Sequence, residues 1–215
     1  MSEHIWISTP PSLFETHFGF HWPPSMADRG ARIALSDALK LDSEKGVPLA
    51  ADRFPDTLET QFTPTPGDPH KSKLPVKLPH FVKWICPVIS KDIADILRQF
   101  DIGATNLYPV AMRRADNGTT YDQDFFILNV GVAKDTLVHD QSRGLKEYKL
   151  AWTFYRYRSP QEDGLAVKRS VLDGSDVWLD PILRGGMFFV SDRLHNALSH
   201  AGLAAPLAFK RCRVV

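Results

Sequence analysis

Apolar and polar residues follow one another in two rhythms along this chain, and the changes of rhythm mark its elements. "VISKDIADILRQFDIG" (88–103) begins as a short apolar run, then sets Ile93, Ile96, Leu97 and Phe100 at helical spacing. Ser90 stands where a hydroxyl can accept from an orphan first-turn amide. Asp92 suits the positive end of the helix dipole and Arg98 the negative end. Gly103 closes the helix, and "TNLYPVAMRR" reads as an outgoing strand. The same punctuation returns in "FVSDRLHNALSHAGLA" (189–204). Ser191 caps, Asp192 sits in the first turn, Leu194, Ala197, Leu198 and Ala201 form the stripe, and Gly202 stops it. "APLAFKRCRV" then leaves as a strand. Ser191, Leu194 and Leu198 repeat Ser90, Ile93 and Leu97 at a constant shift of 101 positions. Identities are few, so what repeats is a physical pattern of strand, serine-capped helix and strand.

Between the two copies, "QDFFILNVGV" (123–132) is the near-continuous apolar run of a strand covered on both faces. "YKLAWTFYRYR" (148–158) reads as one aromatic-rich strand, followed by "LAVKRSV" (165–171) and "VWL" (177–179), with "EDG" and "DGSD" as turns. The N-terminal part has a different texture. A short strand is expected at Ile5–Ser8. A helix is expected over "SMADRGARIALSDALKL", capped by Ser25, with Met26, Ile33, Leu35, Leu39 and Leu41 apolar and Gly30 a weak point. Eleven of the 16 prolines precede residue 81, and "FTPTPGDPHKSKLPVKLP" (62–79) cannot be helical. The expectation is therefore an N-terminal helix and Pro-rich irregular arm over 1–80, wrapped on an α+β unit over 81–215. The fold class is α+β: a mostly antiparallel sheet with two serine-capped helices in a pseudo-repeated strand-helix-strand pattern, plus the Pro-rich arm.

The 215 residues, 43% of them hydrophobic, support one sizeable core. A net charge of +1 gives no field to gather nucleic acid or an anionic membrane. The basic groups Arg113–Arg114, Lys168–Arg169 and "KRCR" (210–213) lie on expected strands as solvated faces. No apolar run approaches the roughly 20 residues that span a bilayer, and the first residues lack a basic start and apolar core. Cys86 and Cys212 form no paired motif, so free thiols and a cytoplasmic setting are expected.

The candidate chemistry is thin. His17 and His21 are i, i+4, but Trp22-Pro23-Pro24 cuts any helix there, and His195 and His200 point to different faces. "DNGTTYDQD" (116–124) and "DGSD" (173–176) lack the oxygen ladder of a calcium loop and suit hairpin turns. "LRGGMFF" (183–189) reads as a turn before a strand. No GxSxG elbow occurs, and Ser90 and Ser191 are explained as caps. Asp135, His139 and Asp140 could be drawn as an acid–base cluster, which together with a serine would make a small hydrolase. No metal or cofactor is expected. One strand suits protein recognition. Alternation in "WTFYRYR" puts Trp152, Phe154, Arg156 and Arg158 on one face and Tyr155 and Tyr157 on the other. Trp, Tyr and Arg dominate interface hot spots because they bury large area at modest entropy cost.

The order of "VISKDIADILRQFDIGATNLYPVAM", "FFILNVGVAKDTLVHDQS" and "VWLDPILRGGMFFVSDRLHNALSHAGL" resembles a bacterial family, long described as a domain of unknown function, proposed to be immunity proteins of polymorphic toxin systems. The matching features are the serine-capped helix followed by Leu107-Tyr108-Pro109-Val110, the Leu128-Asn129-Val130 strand, and Phe189 to Leu194 with Ala201-Gly202-Leu203. The resemblance covers residues 80–204. It implies a non-enzymatic protein that binds a cognate protein toxin in the bacterial cytoplasm, with specificity on loops and exposed strand faces. A structural adaptor subunit, with self-association open to it, is the other non-catalytic reading.

Overall fold

The structure is a computed structural model that describes residues 4–9, 19–23, 28–61, 74–149 and 153–215. The N-terminal part supplies β1 (Ile5–Ser8), β2 (Gly19–His21), α1 (Arg29–Ser43) and β3 (Thr57–Gln61). The first copy of the repeated pattern supplies β4 (Phe81–Lys83), β5 (Pro87–Ser90), α2 (Lys91–Leu97), β6 (Asn106–Arg113) and β7 (Phe125–Asn129). β8 (Leu145–Lys149) and β9 (Thr153–Tyr157) follow, then β10 (Ala166–Val167), β11 (Val177–Trp178), β12 (Phe189–Ser191), α3 (Asp192–His200) and β13 (Phe209–Val214). The fold is α+β with mixed sheets. One sheet runs β2-β3-β6-β7-β5-β4, the other β10-β13-β1-β12-β11, and β8-β9 form a separate hairpin.

The repeat runs deeper than its helices. The strand series β4-β5-β7-β6-β3 and β11-β12-β1-β13-β10 share one pattern of directions: three antiparallel steps, then a parallel one. The registers correspond as well. Phe125 lies between Ser90 and Val110, as Ile5 lies between Ser191 and Cys212. α2 packs on β5 and β7, α3 packs on β12 and β1, and the two helices touch each other. The stripe residues Ile93, Leu97, Leu194 and Leu198 meet there with Ile89, Ala94, Leu128 and Val190 in one core cluster. Burying each large aliphatic side chain contributes about 1.5–3 kcal/mol. The two parallel pairings, β3–β6 and β10–β13, join segments distant in sequence, which local patterning does not register.

Several expectations need correction. Ser191 accepts from Leu194 N at 3.3 Å, but Ser90, although at the N-cap position, makes no side-chain cap bond. Its hydroxyl faces His80 Nδ1 at 2.9 Å instead. α1 is capped by Asp28, which accepts from Ala31 N at 2.9 Å; the expected cap Ser25 lies outside the described residues, as does Met26. Of the expected stripe only Leu39 is buried, while Ile33, Leu35 and Leu41 are 54%, 45% and 50% exposed. "YKLAWTFYRYR" is not one strand. β8 and β9 fold back so that Tyr148 opposes Phe154 and Lys146 opposes Arg156. "LAVKRSV" contributes only the two residues of β10 before a 3-10 turn at Arg169–Leu172.

The first sheet curls until its edges approach. Trp22, just after edge strand β2, meets Trp84, just after edge strand β4, edge to face at 5.5 Å. Trp22 Nε1 donates to Ser36 Oγ of α1 at 2.9 Å, which pins the helix across the seam.

Candidate partner-binding groove

α1 bridges the seam without filling it, because Leu39 is its deep anchor and the neighbouring side chains turn away from the core. What remains is a groove of about 860 Å³. One wall is α1, through Ser36, Asp37, Lys40, Leu41 and Glu44. The facing wall is β4 and the start of β5, through Phe81, Lys83, Trp84, Ile85 and Pro87. Phe20, His21 and Trp22 also line it, as do Phe154, Arg156 and Arg184–Gly186. Trp22, Trp84 and Phe154 are largely buried and give it an aromatic floor.

Glu44 ties α1 to the turn at Arg184–Gly186. Its Oε2 pairs with Arg184 Nη1 at 3.1 Å, its Oε1 accepts from Gly185 N at 3.1 Å, and both side chains are close to buried. Gly185 and Gly186 have φ of 124° and 70°, a turn that side chains with a Cβ adopt only under strain. Arg184 N in turn donates to Tyr155 O at 2.8 Å, so the β8-β9 hairpin is tied to the same turn.

The charges in the groove do not balance. Among the described residues that line it, the cations are Lys40, Lys83, Arg156 and Arg184 and the carboxylates are Asp37 and Glu44. Among the described residues neither Lys40 nor Lys83 has a carboxylate at ion-pair distance. Burial pushes the Lys83 ammonium below the ordinary lysine value, and the charge of Lys40 pushes it further the same way.

The recognition residues expected from sequence divide between two faces. Phe154 stacks on Tyr148 at 5.1 Å and 6°. Arg156 lies 5.4 Å over the Tyr148 ring, and Arg158 Nη2 donates to Tyr148 Oη at 2.7 Å. Phe154 and Arg156 line the groove, and Arg158 extends that face through Tyr148. Tyr155 stacks on His139 at 5.2 Å on the other face. Tyr157 is buried, its hydroxyl donating to Gln161 O and accepting from Gln161 N, both at 3.0 Å. Trp152 lies outside the described residues. The sequence reading missed the groove itself. Its lining comes from five separate segments, and the one local hint was "FVKW" (81–84), a lysine set between aromatics.

The other candidates stay apart. Asp135 pairs with Lys168 at 2.5 Å and is 80% exposed, whereas His139 packs on Tyr155. His195 stacks on Trp6 at 3.6 Å, and His21 Nδ1 contacts Trp22 O at 2.7 Å. His17 lies outside the described residues, among which no group of three or more metal-type ligands occurs. Cys86 and Cys212 are free and buried, and burial pushes the Cys86 thiol up to about 12 and Cys212 in the same direction.

Ser90 does have an imidazole and a carboxylate near it, because His80 Nδ1 is also 3.4 Å from Asp92 Oδ2. A proton relay needs serine and carboxylate on different ring nitrogens. Here one nitrogen faces both, and Asp92 is 64% exposed. The second copy explains the arrangement. Asp176 occupies the position of His80, opposite the cap serine, and each holds that serine's N–H on its carbonyl, at 2.8 Å from His80 and 3.0 Å from Asp176. Asp176 Oδ1 accepts from Ser191 Oγ and Arg193 Nε, each at 2.5 Å. The same bracket of a residue just before a strand, a cap serine and a first-turn side chain is thus built twice with different chemistry: histidine with aspartate in one copy, aspartate with arginine in the other.

A family model described as an immunity protein family, Imm11, matches residues 13–214. The chain belongs to the Imm11 immunity protein family. The match takes in β2, α1 and β3, so the groove walls built by these elements fall inside the Imm11 region along with the segment 80–204. No curated protein matches the sequence. In this Imm11 chain no helix among the described residues is long and apolar enough to cross a membrane.

Proposed function

We propose that this chain is a non-enzymatic immunity protein that neutralises a cognate bacterial protein toxin in the cytoplasm by binding and occluding it. Membership of Imm11 over residues 13–214 carries the reading. The β8-β9 hairpin supports it, because the exposed Arg156 and Arg158 cluster with Tyr148, which stacks on the largely buried Phe154, beside an open groove. Aromatic and arginine side chains held together in this way lose little further entropy when a partner covers them. Phe154, Arg156 and Arg158 are assigned as contacts, with Trp152 as their neighbour in sequence. Tyr155 and Tyr157 anchor the hairpin from behind.

The test is co-expression in a susceptible bacterium of this chain with the toxin domain encoded in the adjacent reading frame. The expected result is survival together with a 1:1 complex on size-exclusion chromatography with light scattering. Unchanged killing at equal expression overturns the proposal. So does protection at strongly substoichiometric levels of the chain, because occlusion consumes one copy per toxin whereas catalysis does not.

A further inference from the structure

The groove beside α1 contains an electrostatic imbalance that the scaffold leaves unresolved. Glu44 is already occupied by Arg184 and the Gly185 amide. Asp37 is exposed on the helix wall. Lys83 is half-buried between Phe81 and Trp84 and shares the groove with Lys40, with no carboxylate paired to either among the described residues. Removing an ammonium from water beside a like charge is unfavourable, and buried lysines are ordinarily paired. A carboxylate entering the groove would relieve both effects. The aromatic floor of Trp22, Trp84 and Phe154 calls for apolar groups beside that carboxylate.

We propose that this groove docks an acidic segment of the protein partner, its carboxylates on Lys40 and Lys83 and an apolar side chain on the Trp22–Trp84–Phe154 floor. The identity of the partner as a toxin rests on the immunity reading; the acidic chemistry rests on the groove alone. A nucleic acid fits less well, because Asp37 and Glu44 would repel a continuous polyanion and the chain as a whole carries only +1. A segment of alternating acidic and apolar residues fits the mixed walls, and about 860 Å³ accommodates several side chains.

The experiment uses two fluorescein-labelled hexapeptides, Glu-Trp-Glu-Leu-Glu-Gly and its counterpart with lysine for each glutamate. Anisotropy is measured on the full chain and on Lys40→Met, Lys83→Met and, as a control outside the groove, Lys210→Met. The acidic peptide is expected to bind at least about tenfold tighter than the basic one, with the preference lost in the two groove variants and kept in the control. Lys83→Met is also expected to melt no lower than the wild type, which separates loss of a binding charge from loss of fold. Equal binding of the two peptides, or a preference that survives both groove variants, overturns the assignment. The variants are also scored for protection against the neighbouring toxin. If wild type and groove variants protect equally, the groove assignment falls and the immunity reading stands. If the wild type discriminates the peptides but fails to protect, the immunity reading falls and the acidic groove stands.

Discussion

Asp176 is the sharpest place to test how the second copy is held together. Its carboxylate is almost fully buried and accepts from Ser191 Oγ and Arg193 Nε at 2.5 Å, Arg193 Nη2 at 2.7 Å and Asp101 N at 3.0 Å. In Asp176→Ala the Ser191 hydroxyl and the Asp101 amide lose their acceptor, at about 1–3 kcal/mol each when buried. The Arg193 side chain is 64% exposed and is rehydrated, so its loss adds little. The expected total is about 3–4 kcal/mol. Asp176→Asn keeps one acceptor oxygen, and the expected cost is about 1–2 kcal/mol. The matching change in the first copy, His80→Ala, removes a 43% exposed side chain and frees the Ser90 hydroxyl to cap α2. Its expected cost is below about 1 kcal/mol. Urea denaturation followed by circular dichroism measures all three, with unchanged slopes as the check on two-state behaviour. If Asp176→Ala costs no more than His80→Ala, the reasoning from burial is wrong.

Three further outcomes follow from packing and charge. Neither Cys86 nor Cys212 is expected to react with a thiol reagent at neutral pH until urea unfolds the chain, since both are buried and Cys86 is pushed up to about 12. Burial holds His195 below its ordinary value of 6.5, so near and below that pH the unfolded chain binds more protons than the folded one. Stability is therefore expected to fall as pH drops from 6.5 toward the lowered value, and His195→Phe, which keeps a ring on Trp6, should flatten that part of the denaturation profile. In Gly131→Ala the new Cβ would sit 2.2 Å from Ala104 O and 3.2 Å from Pro48 Cα, both backbone atoms. A loss of about 3 kcal/mol is expected in the same urea assay.

How much the sequence discloses depends on whether a feature is local. β1 falls on the four residues expected of it, and Ile93, Leu97, Leu194 and Leu198 pack where their spacing points them, because an amphipathic helix carries its signal within a dozen residues; Phe100 lies beyond α2, and Ala201 is exposed. The break between β8 and β9 was hidden because "KLAW" contains no glycine, proline, asparagine or aspartate to announce it. The stripe on α1 misled because Ile33, Leu35 and Leu41 are apolar yet face outward, which no periodicity reveals. Two of the six residues expected to recognise a partner, Phe154 and Arg156, line the groove, since strand alternation put them on one face. The lysines that give the groove its charge come from α1 and β4, and only the curl of the first sheet brings them together.

The place of β1 has a consequence for the order in which the molecule can be assembled. The first copy draws β3 through β7 from one continuous stretch, so all five strands are in hand once residue 129 has been made. The second takes its central strand from far upstream in the sequence: Ile5 must wait for Ser191 on one side and Cys212 on the other. Contacts so far apart in sequence form slowly. Until residues 189–212 have been made, Ile5 and Ile7 lack both neighbouring strands, so a segment made before every other described strand is among the last to find its place.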